Sequence, residues 1–172
     1  MIDDKGYVAA MATPSPASLR QFVMSMGDKP RSYPTLNIYG NQITPIITGK
    51  ETAGSLVVFE SVTQPKGGPP RHVHHREDEA FYVVQGKFLF EYGDTRVEGG
   101  PGTHVFLPRD VPHCFQNISD KVANMLSICQ PAGLELFFED ISKLEGPPDP
   151  ARVLPIFQKW GLELLGPPMA MS

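Results

Sequence analysis

The five histidines of this chain all lie between residues 72 and 113, and three of them have a spacing that suits metal ligation. His72 and His74 are two residues apart, so in a strand both imidazoles face the same side. Glu79 follows His74 by five residues, an odd step that would turn it to the opposite face of one uninterrupted strand. The polar run His75-Arg76-Glu77-Asp78 therefore reads as a turn, and Glu79 opens a second strand, Ala80-Phe81-Tyr82-Val83-Val84, that folds back beside the first. His113 arrives from a third strand. Taken singly, His72 and His74 would pass for solvent-facing residues of a polar loop, and Glu79 for the third acid of Glu77-Asp78-Glu79. Together, His72, His74, Glu79 and His113 make three imidazoles and a carboxylate, a donor set for one divalent first-row ion: Fe, Mn, Ni, Co, Cu or Zn. Four protein ligands leave an octahedral ion two open positions, for a chelating substrate or for substrate plus dioxygen. His75 alternates away from His74 and His104 has no spacing partner, so both are set aside.

The elements that must position these residues are short and β-rich. Strand-like runs cover Leu36 to Tyr39, Ile43 to Thr48, Ser55 to Val62, Glu79 to Val84, Lys87 to Tyr92, Thr95 to Glu98, Thr103 to Leu107, Pro112 to Gln116 and Val122 to Gln130. Turn signals about every ten residues argue an antiparallel sandwich or barrel. Gly93-Asp94 suits a two-residue hairpin loop, and Gln85-Gly86 is a weaker candidate for another. Phe88, Phe90 and Tyr92 alternate with Lys87, Leu89 and Glu91, giving an aromatic face that serves equally as core or as pocket lining. Phe81 and Phe115 stand two residues from Glu79 and His113, on the same strand faces, and join Phe88, Phe90 and Tyr92 as candidates for contact with a small-molecule substrate.

Helical periodicity flanks the strands. Residues 1 to 14 read as a leader, and Ser15-Pro16 as the cap of a helix over Ala17 to Met26. Leu134, Phe137, Phe138, Ile141 and Leu144 follow helical spacing, for a helix packed on the outside of the β unit. After Gly146-Pro147-Pro148, a last helix is expected over Ala151 to Trp160, kinked at Pro155 or delayed to it, then a tail. The expected organisation is thus a leader and helix over 1–32, a β unit with its following helix over 33–145, and a helix and tail over 146–172.

Fifteen Lys and Arg against nineteen Asp and Glu give a formal charge of −4, without basic clusters. Nucleic acid is not an expected partner. Apolar runs are far shorter than the ~20 residues that span a bilayer, and no signal-peptide pattern opens the chain. Cys114 and Cys129 lack framework spacing and read as buried reduced thiols, Cys114 facing away from the metal. The expectation is a cytoplasmic protein with no membrane partner.

Two motifs carry a family resemblance. His72-x-His74-x4-Glu79-x6-Gly86 resembles the first cupin motif, and Gly102-x5-Pro108-x-Asp110-x2-His113-x3-Asn117 resembles the second. Two positions depart from the pattern: Lys66 and Asp110 stand where glycine is expected. The resemblance implies an all-β fold, a single jelly-roll β-barrel, with His72, His74, Glu79 and His113 as metal ligands. More narrowly, the segments Gly-Gly-Pro-Pro-Arg-His-Val-His-His-Arg-Glu-Asp-Glu-Ala-Phe-Tyr-Val-Val-Gln-Gly and Pro-Arg-Asp-Val-Pro-His are similar to single-domain cupins grouped with quercetin 2,3-dioxygenases. That likeness implies a dioxygenase acting on a flavonol-like or other enolic or aromatic molecule, with Glu79 doubling as general base, and a homodimer. A metal-binding isomerase or cyclase, or a non-catalytic binder of small ligands, stays open beside it.

Overall fold

The computed structural model describes residues 33–169; the leader and the helix expected over Ala17 to Met26 lie outside them. Eleven strands and three helices follow in order: β1 (Leu36–Ile38), β2 (Asn41–Ile47), α1 (Gly49–Thr52), β3 (Val57–Thr63), β4 (Pro70–His74), β5 (Asp78–Gln85), β6 (Phe88–Tyr92), β7 (Thr95–Gly99), β8 (His104–Leu107), β9 (His113–Asn117), β10 (Ala123–Gln130), α2 (Leu134–Ser142), α3 (Pro150–Trp160) and β11 (Leu162–Pro168). The strands form two sheets, ordered β1-β2-β3-β10-β5-β8 and β11-β4-β9-β6-β7. Every strand pair is antiparallel. No ladder joins the two sheets among the described residues, so the expected barrel is a two-sheet jelly roll rather than a ring of hydrogen bonds.

Gly93-Asp94 forms the predicted two-residue hairpin, with Tyr92 opposite Thr95. Gln85-Gly86 does not. Strand β5 pairs with β10 and β8, whereas β6 pairs with β7 and β9, so the chain crosses there from one sheet to the other. Gly86, at φ 85°, takes that corner, and a Cβ on it would lie 2.4 Å from the Ala123 Cβ. The turn at 75–77 also leads elsewhere than expected. Strand β5 does not fold back beside β4; it enters the opposite sheet, and β4 lies between β9 and β11.

Alternation divides β3, β5 and β10 between interior and solvent. Phe81, Val83, Phe88, Phe90, Leu107, Ala123 and Met125 fill the space between the sheets at one end. At the other end, Val57, Phe59 and Cys129 meet the apolar stripes of α2 and α3. Leu134, Phe137 and Ile141 of α2 are buried as their spacing predicts, yet the helix does not ride on the outside of the β unit. It closes the open end of the sandwich, because the inner face of β3 and β10 offers apolar surface there. Helix α3 begins at Pro150, capped by the Asp149 side chain, and runs through Pro155 instead of starting at it. Pro155 is exposed, so water can take the carbonyl that its missing N–H leaves unpaired. The expected tail is largely strand β11, which pairs Leu162 with His74 and Leu164 with His72.

Candidate metal centre

Local pairing explains why the histidines meet. His72 and His74 share a face of β4, and His72 lies directly across from His113 of β9. One imidazole nitrogen from each lies within 4.8 Å of the other two, and all three residues are buried. Glu79 reaches the cluster from β5, across the interior from the other sheet, with its Oε2 3.5 Å from His113 Nε2. The odd step from His74 to Glu79 is thus resolved by a change of sheet.

Hydrogen bonds on the far side of two rings set which nitrogen faces inward. His72 Nδ1 donates to the Pro70 carbonyl at 2.7 Å, and His113 Nδ1 donates to the Val111 carbonyl at 2.9 Å. In each ring, Nε2 then carries the lone pair. His72 Nε2 stands 3.0 Å from His74 Nε2, and His113 Nε2 is buried without a hydrogen-bond partner. Converging lone pairs repel one another unless a cation or a proton lies among them. Burial, followed by the neighbouring His74 and His113, holds His72 well below the usual histidine range, which disfavours the proton there. Burial also works against a charged His113, but the Glu79 carboxylate outweighs it and raises that ring. For Glu79, burial pushes upward; His113, His74 and the Cys129 thiol prevail and keep it below the usual carboxylate range. Three imidazoles and one carboxylate make a donor set that fits a divalent first-row ion.

Above the cluster opens a cavity of about 450 Å³, within the range of small-molecule sites. His72, His74 and Glu79 form part of its wall with Phe81 and Phe115, and Phe59, Phe137, Phe138 and Phe157 add further aromatic surface. Phe81 and Phe115 touch edge to face, with ring centroids 5.4 Å apart. The other three aromatic candidates stand elsewhere: Phe88, Phe90 and Tyr92 do not line the cavity and belong to the adjoining core, because β6 sits beyond β9 from the site. His75 is exposed beside Asp110 and Glu163, and His104 is exposed on β8.

Three contributions escape a reading of the sequence. Glu77, assigned to a polar turn, is buried, with Oε2 3.5 Å from His74 Nδ1. Cys129 is a buried free thiol as expected, but its Sγ lies 3.5 Å from Glu79 Oε1, and burial first of all keeps it protonated. Cys114 faces away from the cluster, opposite Glu91, and burial pushes its thiol up to about 11. The helices and β11 supply much of the cavity wall, including Leu162 and Leu164, which no strand spacing could assign. The register of Cys129 opposite Glu79 was available only once β10 and β5 were known to pair.

The two departures from the motif pattern are both turns of positive φ, 67° at Lys66 and 64° at Asp110. Each keeps the left-handed geometry that favours glycine.

Residues 59–129 match the family profile of the cupin domain. No curated protein matches the sequence. Among solved structures, an RmlC-like cupin from Shewanella frigidimarina is similar at 16% identity, over 69% of this chain and 99% of its own, with a TM-score of 0.56. The polyketide cyclase RemF from Streptomyces resistomycificus is similar at 23% identity, over 62% of this chain and 80% of its own, with a TM-score of 0.51. KdgF from a Halomonas species is 20% identical over 56% of this chain and 84% of its own, with a TM-score of 0.51. At these identities the likeness is one of fold, and the fold is that of the cupins.

Proposed function

We propose that this cupin is a metal-dependent dioxygenase for an enolic or hydroxylated aromatic small molecule, with a flavonol as the type substrate. The observation that carries the proposal is the convergence of His72, His74, His113 and Glu79, the first two and Glu79 in the wall of an aromatic-lined cavity. A bound divalent ion would supply Lewis acidity toward a substrate hydroxyl and two open positions. His72, His74 and His113 would hold it. Glu79, ionised and buried, accepts the substrate's hydroxyl proton, and the Cys129 thiol on Oε1 leaves Oε2 turned toward the cluster. Phe81 and Phe115 give a flat ring an apolar surface to stack against, and the aromatic walls exclude water, which strengthens each charge interaction inside. Ser61 and Ser127 on the same wall offer hydroxyls to further substrate oxygens.

Metal-reconstituted protein incubated with quercetin, with and without air, tests this reading. The expected result is oxygen uptake matched by loss of the flavonol absorbance; no substrate-dependent uptake with any first-row metal refutes it for that substrate. A cyclase or isomerase would use the same Glu79 for proton transfer alone, a chemistry that the fold shared with a polyketide cyclase makes worth testing. It would turn over substrate anaerobically. A homodimer belongs to the same proposal. Tyr82, Phe106 and Ile128 are exposed on the outer face of the six-stranded sheet, brought together by the pairing of β5 with β8 and β10, and patches of this kind mark association surfaces. A monomeric mass by light scattering rejects it.

A further inference from the structure

Glu77 stands outside the ligand set and outside both motif patterns, yet it is as deeply buried as the ligands. Its carboxylate makes no hydrogen bond among the described residues. Oε2 is buried and unpartnered, and the neighbouring His74 Nδ1, at 3.5 Å, is buried and unpartnered as well. On its other side lies the start of α2, where a Cβ on Gly133 would be 3.9 Å from Glu77 Oε1. A lone buried carboxylate is costly unless something neutralises it. The three histidines are also unequal: His72 and His113 each hand their Nδ1 proton to a backbone carbonyl, and His74 has only Glu77 for that task.

We infer that Glu77 is the positioning residue of the metal centre: it accepts a hydrogen bond from His74 Nδ1–H, fixes the tautomer that turns Nε2 to the cluster, and sets a second carboxyl group beside the site of a divalent ion. Glu77 and Glu79 together set two carboxyl groups beside the three imidazoles, a surrounding suited to a divalent cation. Carboxylates placed behind metal-bound histidines raise the basicity of the ring and hold its orientation. The sequence places the two acids on either side of Asp78, where the turn gives way to β5. Glu77 therefore faces the back of His74 while Glu79 faces the cluster.

The inference rests on the metal-binding reading above, and the test separates the two. Metal-stripped wild type, E77Q and E77L are titrated with Zn²⁺ and Co²⁺ against a competing chelator, and the thermal midpoint of each apo protein is recorded. Both variants should bind about 10–100-fold more weakly than wild type. Their apo midpoints should stay close to that of wild type, because Glu77 Oε2 and His74 Nδ1 are each without a hydrogen-bond partner. A merely structural role would lower the apo midpoint and leave affinity unmoved. Affinity within twofold of wild type overturns the role of Glu77 alone, whereas wild type that takes up no ion overturns the metal centre itself. The ¹⁵N shifts of the His74 ring in zinc-loaded wild type give a check that needs no variant. A protonated Nδ1 is expected, and a protonated Nε2 refutes the assignment.

Discussion

Replacing Asn117, the last residue of the second motif, should damage the fold more than replacing any of the four candidate ligands. Asn117 is fully buried at the end of β9, and its side chain makes three hydrogen bonds. Nδ2 donates to the Thr63 carbonyl at 3.0 Å and to the Lys121 carbonyl at 2.8 Å, and Oδ1 accepts from the Ser119 backbone N–H at 2.8 Å. Its backbone clasps the turn before β4, donating to the Gly67 carbonyl and accepting from the Lys66 N–H, each at 2.9 Å. Asn117→Ala deletes the three side-chain bonds at about 1 kcal/mol each and orphans the Ser119 N–H, for a total of about 3–4 kcal/mol. Against a usual stability of about 5–15 kcal/mol, that is a large share. Asn117→Asp keeps the shape but sets a carboxylate oxygen against two carbonyls, so the buried acid is favoured in its protonated form. Its folded-state pKa must rise above the unfolded value; the variant is then least handicapped in acid and loses stability as pH rises through the folded value. Urea titrations of wild type and both variants between pH 4 and 8 measure this. A cost below about 1 kcal/mol for Asn117→Ala, or an Asn117→Asp penalty that does not grow with pH, would refute the reasoning.

Three further outcomes follow from the same structure. His72→Ala and His113→Ala should lose most of their metal by elemental analysis while His104→Ala, on the outer surface of β8, retains it; unchanged occupancy in the first two refutes the ligand set. Asp78 is held down to about 2 by its hydrogen bonds to the Arg109 guanidinium and backbone, so its folded value lies below the unfolded one and its contribution is complete above the unfolded value near 3.8. The stability gap between wild type and Asp78→Asn should therefore close as pH falls from about 4 to about 2, and a gap that persists in acid contradicts the pairing. Lys66→Gly should raise stability by no more than about 1 kcal/mol, since relief of a left-handed φ worth about 1–2 is partly cancelled by glycine's extra unfolded-state freedom. A lower urea midpoint would show that the Lys66 side chain itself holds the turn.

What could be read from the chain divides along physical lines. Strand existence was legible because alternation and turn residues are local signals, and so was the grouping of His72, His74 and His113, because identity and spacing survive without coordinates. The fate of β5 was not. Both a hairpin at Gln85-Gly86 and a strand folded back beside β4 are locally sensible, and only the demand that each sheet cover the other's apolar face sends β5 across. Strand β11 was hidden for a similar reason. Leu162-Glu163-Leu164-Leu165-Gly166-Pro167-Pro168 has little strand character at its end, and it is β4, with an otherwise unpaired edge, that makes it a strand. Glu77 and Glu79 are the same residue type two places apart; their different surroundings, one behind a histidine and one among three, arise from packing.

Strand β11 also bears on the order in which the site can assemble. The backbone of β4, with His72 and His74, leaves the ribosome about ninety residues before its outer neighbour, so a nascent chain holds two histidines on an open edge ready to zip with any extended peptide. Closing that edge with a segment ending in Pro167-Pro168 replaces a sticky border with one poor in N–H donors. Wall and guard are then one element, and a chain whose cavity is complete has, by the same act, become harder to aggregate.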